Sequence, residues 1–293
     1  MTTIQAQEKI FALVEKVRLN AERELIKAYA TALKNVNEQI TFYFNKYEQD
    51  GVLSYAELQQ ANRLQNIQEQ IKEELRKPTL QINKSILNAI DEAYEIGTAN
   101  SAFFVDMATG KSLSWGLFNT QAVRESIARE AYLKEFLTDA RARQIITIKD
   151  KITQAIIQGT SHKDLVKIIE SAMGEGLANA ERIAFTEITA IFGRAQTEIY
   201  AAAREQGIEL NEVWSSGGDS KVRASHKQQD GKTRQADGLF HLSSGATCTS
   251  PGNCTSAGES INCRCTIVAE FPEYGINYKP TMTFDDWLEK YKK

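Results

Sequence analysis

Asp219-Ser220-Lys221-Val222-Arg223-Ala224-Ser225-His226 and, further on, Asn262-Cys263-Arg264-Cys265 are the two runs that divide this chain into unlike parts. Between Trp214 and Cys265 lie an Asp-x3-Arg-x2-His pattern (Asp219, Arg223, His226), an Asp-Gly turn (Asp230, Gly231) and all four cysteines. Cys248, Cys254, Cys263 and Cys265 follow two of the three histidines, His226 and His241. Upstream there is no cysteine and only His162. Groups able to hold a soft metal are thus confined to one small unit, which marks the C-terminal third as a specialised module.

Working outward, the upstream sequence is helical. Ile10, Val14, Val17, Leu25, Tyr29, Leu33, Val36, Ile40 and Phe44 recur at threes and fours, the period of one face of an α-helix. The spacing predicts a helix from Ile4 to about Lys46, a turn at Gln49-Asp50-Gly51, and a second helix opening at Ser54 with Glu57 as its capping-box partner. Pro78 predicts an end to that helix at Lys77, since proline disfavours helical geometry in the residue before it. A third helix is expected over Thr79 to Tyr94 and another from about Asn100. Asp106 to Asn119 reads as a break, and helix resumes from Asn119 or Thr120 to about Gln158. Gly159 ends that run, and Ser161 with Asp164 caps a short helix that closes at Gly174-Glu175-Gly176. A last helix, Leu177 to Gln206, ends at Gly207. After Gly207 glycine and serine become dense, and strand-like runs appear at Val213-Trp214 and Thr266-Ile267-Val268.

The expected fold is therefore mainly α, with an extended N-terminal helical hairpin and a small C-terminal α+β module. Residues 1–118 form the extended helical region, 119–207 a helical segment and 208–293 the compact module. A chain of 293 residues has room for two cores. The formal charge of −3 gives no global attraction to nucleic acid or anionic membrane. No run reaches the length of a membrane span, and the amphipathic N-terminus lacks the apolar centre of a secretory signal. Cytoplasmic synthesis, with reduced thiols, is the expectation.

Lys46 stands where an EF-hand loop ending at Glu57 needs its first oxygen ligand, so Asp50-Gly51 is read as a turn and not a calcium site. The four cysteines could close a structural Zn2+ site, with His226 as substitute ligand; paired disulfides and free buried thiols are the alternatives. Catalysis by His226 with two cysteines, and Asp219, Asp230 or Glu259 as base, lacks a supporting metalloprotease pattern. Lys221, Arg223, Lys227, Lys232 and Arg234 are candidate phosphate contacts, or a solvated surface.

Taken together, Trp214, Asp219, Arg223, His226, Asp230, Gly231 and Asn262-Cys263-Arg264-Cys265 resemble the signature of the Mu F-like head morphogenesis proteins of tailed bacteriophages, also called minor head proteins. The helix around Ala180 to Glu187 and the tail Met282 to Leu288 resemble the same family, so the likeness runs from about Gly159 to Leu288. Phe185 departs from it, standing where the family usually has an arginine. The resemblance implies a virion component, made in the host cytoplasm, acting in procapsid assembly near the portal. It implies portal, major capsid or scaffold protein as partners, non-specific contact with phage DNA, and no membrane. A small metal-dependent hydrolase or toxin-like effector built on the C-terminal module is the competing expectation.

Overall fold

The seven helices expected from the sequence become four long ones among the described residues. In the computed structural model, which describes residues 3–53, 58, 62–115, 120–274 and 281–291, α1 runs Thr3–Tyr47, α2 Arg63–Thr109, α3 Thr120–Ile157 and α4 His162–Glu205. The expected capping box at Ser54 and Glu57 and the cap at Asn119 lie outside the described residues. Between α1 and α2, β1 (Glu48–Gln49) pairs antiparallel with β2 (Val52–Leu53) across Asp50 and Gly51, whose φ values are +52° and +81°. Two successive left-handed residues make the tight hairpin turn that Asp-Gly favours.

Three of the expected helix ends are not ends: Lys77, Tyr94 and Gly174-Glu175-Gly176. α2 continues through Pro78, which costs it one backbone hydrogen bond but does not halt it. The buried Leu75, Ile82 and Ile86 on either side keep the apolar stripe in phase, so packing outweighs the local penalty. α4 likewise passes through Gly174 and Gly176. A Cβ at Gly176 would stand 1.2 Å from Gln144 Nε2 of α3, so the glycine is there for close approach rather than termination. Where the backbone does turn left-handed, at Gly110, Gly159 and Gly207, the helices stop. The cap at the start of α4 forms as expected: Ser161 Oγ accepts from Asp164 N at 3.3 Å and donates to Asp164 Oδ2 at 2.9 Å.

The chain divides into two compact units. Residues 21–87 and 124–181 form a helical unit. There Asn35 bonds Glu74 and Tyr43 bonds Gln70, so residues rise along α1 as they fall along α2, an antiparallel hairpin. Tyr29 Oη donates to Gln144 Oε1 and Gly176 O, each at 2.8 Å, tying α1 to α3 and α4. His162, the isolated histidine, packs on Phe44 and bonds Thr41.

The other unit takes residues 1–20, 88–123 and 182–293. Its sheets are small. β3 (Asn211–Ser215) pairs antiparallel with β7 (Thr266–Glu270), Trp214 opposite Ile267. β4 (Phe240–His241), β5 (Thr247–Ser250) and β6 (Asn253–Cys254) form a three-stranded sheet. Short helices α5 (Ala224–Gln229), α6 (Ala257–Ser260) and α7 (Phe284–Tyr291) complete it. The core gathers Phe104, Tyr200, Trp214, Phe240, Ile267 and Trp287, all nearly inaccessible to water. Among the described residues no helix is long and apolar enough to cross a membrane.

Candidate metal centre

α5 and the turn before β7 face each other across Trp214. α5 carries His226 into the core, 1% exposed, with its ring edge-on to Trp214 at 5.1 Å between centroids. Cys263 and Cys265 arrive on the segment leading into β7, two residues apart, with both sulfurs toward the imidazole. His226 Nδ1 lies 3.3 Å from Cys265 Sγ and 3.7 Å from Cys263 Sγ. The three donor atoms lie within 4.8 Å of one another, and all three residues are buried.

The far side of the imidazole decides its chemistry. Glu259 Oε2 of α6 stands 3.0 Å from His226 Nε2 and also accepts from Ser225 Oγ at 2.9 Å. Burial works against a charge on Glu259, but the hydroxyls of Ser244 and Ser225 and the nearby His226 hold its carboxyl below the ordinary range. The carboxylate lies close to Nε2 but forms no hydrogen bond with it, while Nδ1 faces the two sulfurs, the side from which the ring would ligate a metal. The two thiols shift each other in opposite directions. Cys265 donates to Cys263, which with His226 outweighs burial and holds Cys263 well below the thiol range, while Cys265 is pushed up. One imidazole nitrogen and two sulfurs, desolvated and converging, suit a soft divalent ion.

The four-cysteine site expected from composition does not assemble. Cys248 and Cys254 are joined in a disulfide, because β5 and β6 pair in a register that puts them directly opposite. The turn at Gly252 (φ +82°) packs on α4, where an added Cβ would meet Ala190 N at 2.9 Å. His226, held as the substitute ligand, is instead one of the three convergent donors. His241 stays outside the cluster, exposed and 2.7 Å from Asp237 Oδ2.

The remaining signature residues hold the cluster's frame together. Asp219 Oδ2 pairs with Arg264 Nη1 at 3.0 Å, and its Oδ1 accepts from Lys221 N. Arg223 donates to Ile261 O. Asp230 Oδ1 accepts from Ser216 N at 2.6 Å. Gly231, at φ +73°, donates to Trp214 O, and Trp214 N donates to Lys232 O. Asn262, left-handed at φ +54°, donates its N–H to Thr186 Oγ1 of α4.

Of the candidate phosphate contacts, Lys221, Lys227 and Lys232 are exposed and make no side-chain ion pair among the described residues. Arg234 is committed elsewhere: its Nη1 bonds both oxygens of Glu212, each at 3.0 Å, and its Nε donates to Gly238 O. Arg223, bonded to Ile261, is likewise engaged.

Two groups carry weight that the sequence did not reveal. Arg18 of α1, 5% exposed, donates to Cys263 O, Thr189 Oγ1 and Phe185 O, and its guanidinium lies 5.6 Å from the centre of the Phe185 ring. Asp106 accepts from Trp115 Nε1, Trp287 Nε1 and Leu113 N. Glu259, a candidate base in the sequence, instead stands beside His226. Except for Trp115 and Leu113, the partners lie far off in sequence, and no local pattern announces the pairing.

The signature residues are held by hydrogen bonds to one another and to neighbouring backbone and side chains. Residues 146–268 match the family model described as Phage Mu protein F like protein. This segment is Mu F-like. Minor head protein GP7 of Bacillus phage SPP1 is 26% identical over 269 residues, covering 90% of this chain and 86% of that protein. The NAD(+)--arginine ADP-ribosyltransferase EFV of Enterococcus faecalis is 23% identical over 269 residues, 89% of this chain but 54% of that one. An uncharacterized protein of Haemophilus influenzae is 25% identical over 161 residues, 55% of this chain and 33% of its own. The chain thus spans most of the first, about half of the second and a third of the last. No solved structure matches. The Mu F-like segment contains α4, the signature run and the Cys263–Cys265 turn.

Proposed function

We propose that this chain is a minor head protein that works in procapsid assembly close to the portal, with a structural and not an enzymatic role. The observation that carries the reading is the similarity to GP7 along nearly the full length of both chains, helices and module together. Portal protein, and major capsid or scaffold protein, are the partners this reading assigns. The host cytoplasm is its place of assembly and the virion its destination. Lys221, Lys227 and Lys232 give the module an exposed basic edge for non-specific contact with phage DNA.

In the same reading the module, residues 208–293, binds one structural Zn2+ through His226 Nδ1, Cys263 and Cys265. Three donors leave one position of a tetrahedral ion for a further ligand. The ion would cross-link α5 to the segment entering β7, which the small sheets alone hold weakly. The burial of all three residues favours structure over catalysis, since a hydrolytic metal needs a position open to substrate. The name of the ADP-ribosyltransferase relative describes a protein nearly half of which this chain does not span.

The test is a binding assay with portal protein. The purified chain should co-sediment with portal rings, and His226→Ala should alter binding only as far as it alters folding. Failure to bind any of portal, capsid or scaffold protein would overturn the assembly reading. Turnover of a substrate lost in a folded His226→Ala variant would replace it with an enzymatic one.

A further inference from the structure

The helical unit carries a groove that none of the preceding functions uses. It runs between α2 over Lys72–Asn83 and α3 over Thr138–Lys149 and encloses about 830 Å³. Its apolar surface is left open to water: Leu80 is 80% exposed and Ile146 54%. An aliphatic side chain so exposed loses its burial energy, and a cluster of them beside a groove marks a contact surface.

The charges around it are one-sided. Lys72, Arg76, Lys77, Arg141 and Lys149 line it against a single acid, Glu73. The lysines and arginine of α2 make i,i+3 pairs with Glu69, Glu73 and Glu74, exposed contacts of little strength. Arg141 is different. It is 5% exposed, donates to Gln144 Oε1, stacks 5.1 Å from the centre of the Tyr29 ring, and has no carboxylate partner among the described residues. Burial alone pushes its pKa down to about 10, so it keeps its charge at neutral pH. A buried guanidinium without a counterion is costly unless something supplies the anion. Asn83 adds a second unmet group, since its Oδ1 is buried with no hydrogen-bond donor among the described residues.

We propose that this groove docks an acidic amphipathic helix of a partner protein, with a carboxylate reaching Arg141, apolar side chains covering Leu80 and Ile146, and further acids along the lysine rim. The groove extends over about 16 Å of helix, or three turns, which matches the i, i+3, i+7 anchors of a helix laid into a hydrophobic cleft. A basic or neutral helix would leave Arg141 unpaired, and a nucleic acid would leave the apolar floor uncovered. The proposal rests on the helical unit alone and stands apart from the head-assembly reading.

The experiment uses the full chain and two labelled peptides of about four turns. Both carry Leu at i, i+3 and i+7, one with Glu on its flanks and the other with Lys. Fluorescence anisotropy should show binding of the Glu peptide, weakening with salt, and none of the Lys peptide. Leu80→Glu, on an exposed side chain that the fold does not need, should weaken binding at least about tenfold. Arg141→Met should do so too, with circular dichroism confirming its fold. Equal binding of both peptides, or binding indifferent to Leu80→Glu, would overturn the proposal. Self-association of the chain that Leu80→Glu abolishes would also overturn it, assigning the groove to a second copy.

Discussion

Arg18, in the first helix, donates a hydrogen bond to the carbonyl oxygen of Cys263, 245 residues further along the chain. The first twenty residues therefore belong to the unit that holds residues 88–123 and 182–293. The guanidinium lies beside Phe185, where the resemblance led one to expect an arginine on α4 itself. Burial pulls its pKa down, while Glu15, Cys263 and Cys265 act the other way. Arg18→Met should destabilise this unit by about 2–3 kcal/mol, because Phe185 O and Cys263 O each lose a charged donor. Arg18→Lys should recover only part of that, since the shorter ammonium must reach the three acceptors that Nη2 alone now serves. Denaturant midpoints of the two variants decide it, and unchanged midpoints would remove Arg18 from the account.

Metal content separates the two kinds of cysteine. Protein purified with zinc present should hold one ion per chain by elemental analysis, and Cys263→Ser or Cys265→Ser should abolish it. The double variant Cys248→Ser, Cys254→Ser should keep the ion. Chelation should lower the melting temperature; at free zinc a hundredfold above Kd the ion contributes about 3 kcal/mol. Zinc lost from the Cys248/Cys254 variant but retained by the Cys263 one would reverse the assignment.

Asp106 anchors the chain's last helix. Its carboxylate accepts from Trp287 Nε1 at 2.9 Å and Trp115 Nε1 at 3.0 Å in a site closed to water. Asp106→Leu removes the carboxylate acceptor from both indoles and should cost about 2–4 kcal/mol, with α7 becoming cleavable in limited proteolysis. Asp106→Asn, which keeps one carbonyl acceptor, should fall between. Resistance of Asp106→Leu to cleavage would show that packing of Trp287 suffices.

For DNA, the exposed lysines and the engaged arginine should part ways. Lys221→Gln, Lys227→Gln and Lys232→Gln should each weaken non-specific binding and reduce its salt dependence by about one released counterion. Arg234→Gln should instead unsettle the fold, since Glu212, whose side chain is fully enclosed, loses a bidentate partner. Breaking a buried pair costs about 3–5 kcal/mol, although Arg204 at 2.9 Å retains part of the compensation here. A salt slope unchanged in the lysine variants would place any DNA contact elsewhere.

Much of the fold was legible because periodicity is local. The stripe from Val17 to Phe44, the Asp50-Gly51 turn and the strands at Trp214 and Ile267 all follow from residues close in sequence. Pro78 and Gly176 misled because tertiary packing overrode propensity: one kept its helix in phase, the other made room for Gln144. The cluster was half legible. Cysteine spacing pointed to a metal, but only the β5–β6 register reveals that Cys248 faces Cys254 and leaves His226 to the other two. Arg18 with Cys263, and Asp106 with Trp287, act through long-range hydrogen bonds, which leave no periodic trace.

The central claim, that this chain builds phage heads, is tested most directly by co-expressing it with the portal, major capsid and scaffold proteins of its phage. Assembled particles would be purified and their protein content measured by mass spectrometry. The account predicts that the chain co-purifies with procapsids at a copy number well below the major capsid protein, and that omitting the portal removes it. Particles that form normally with the portal present and contain none of the chain would contradict it.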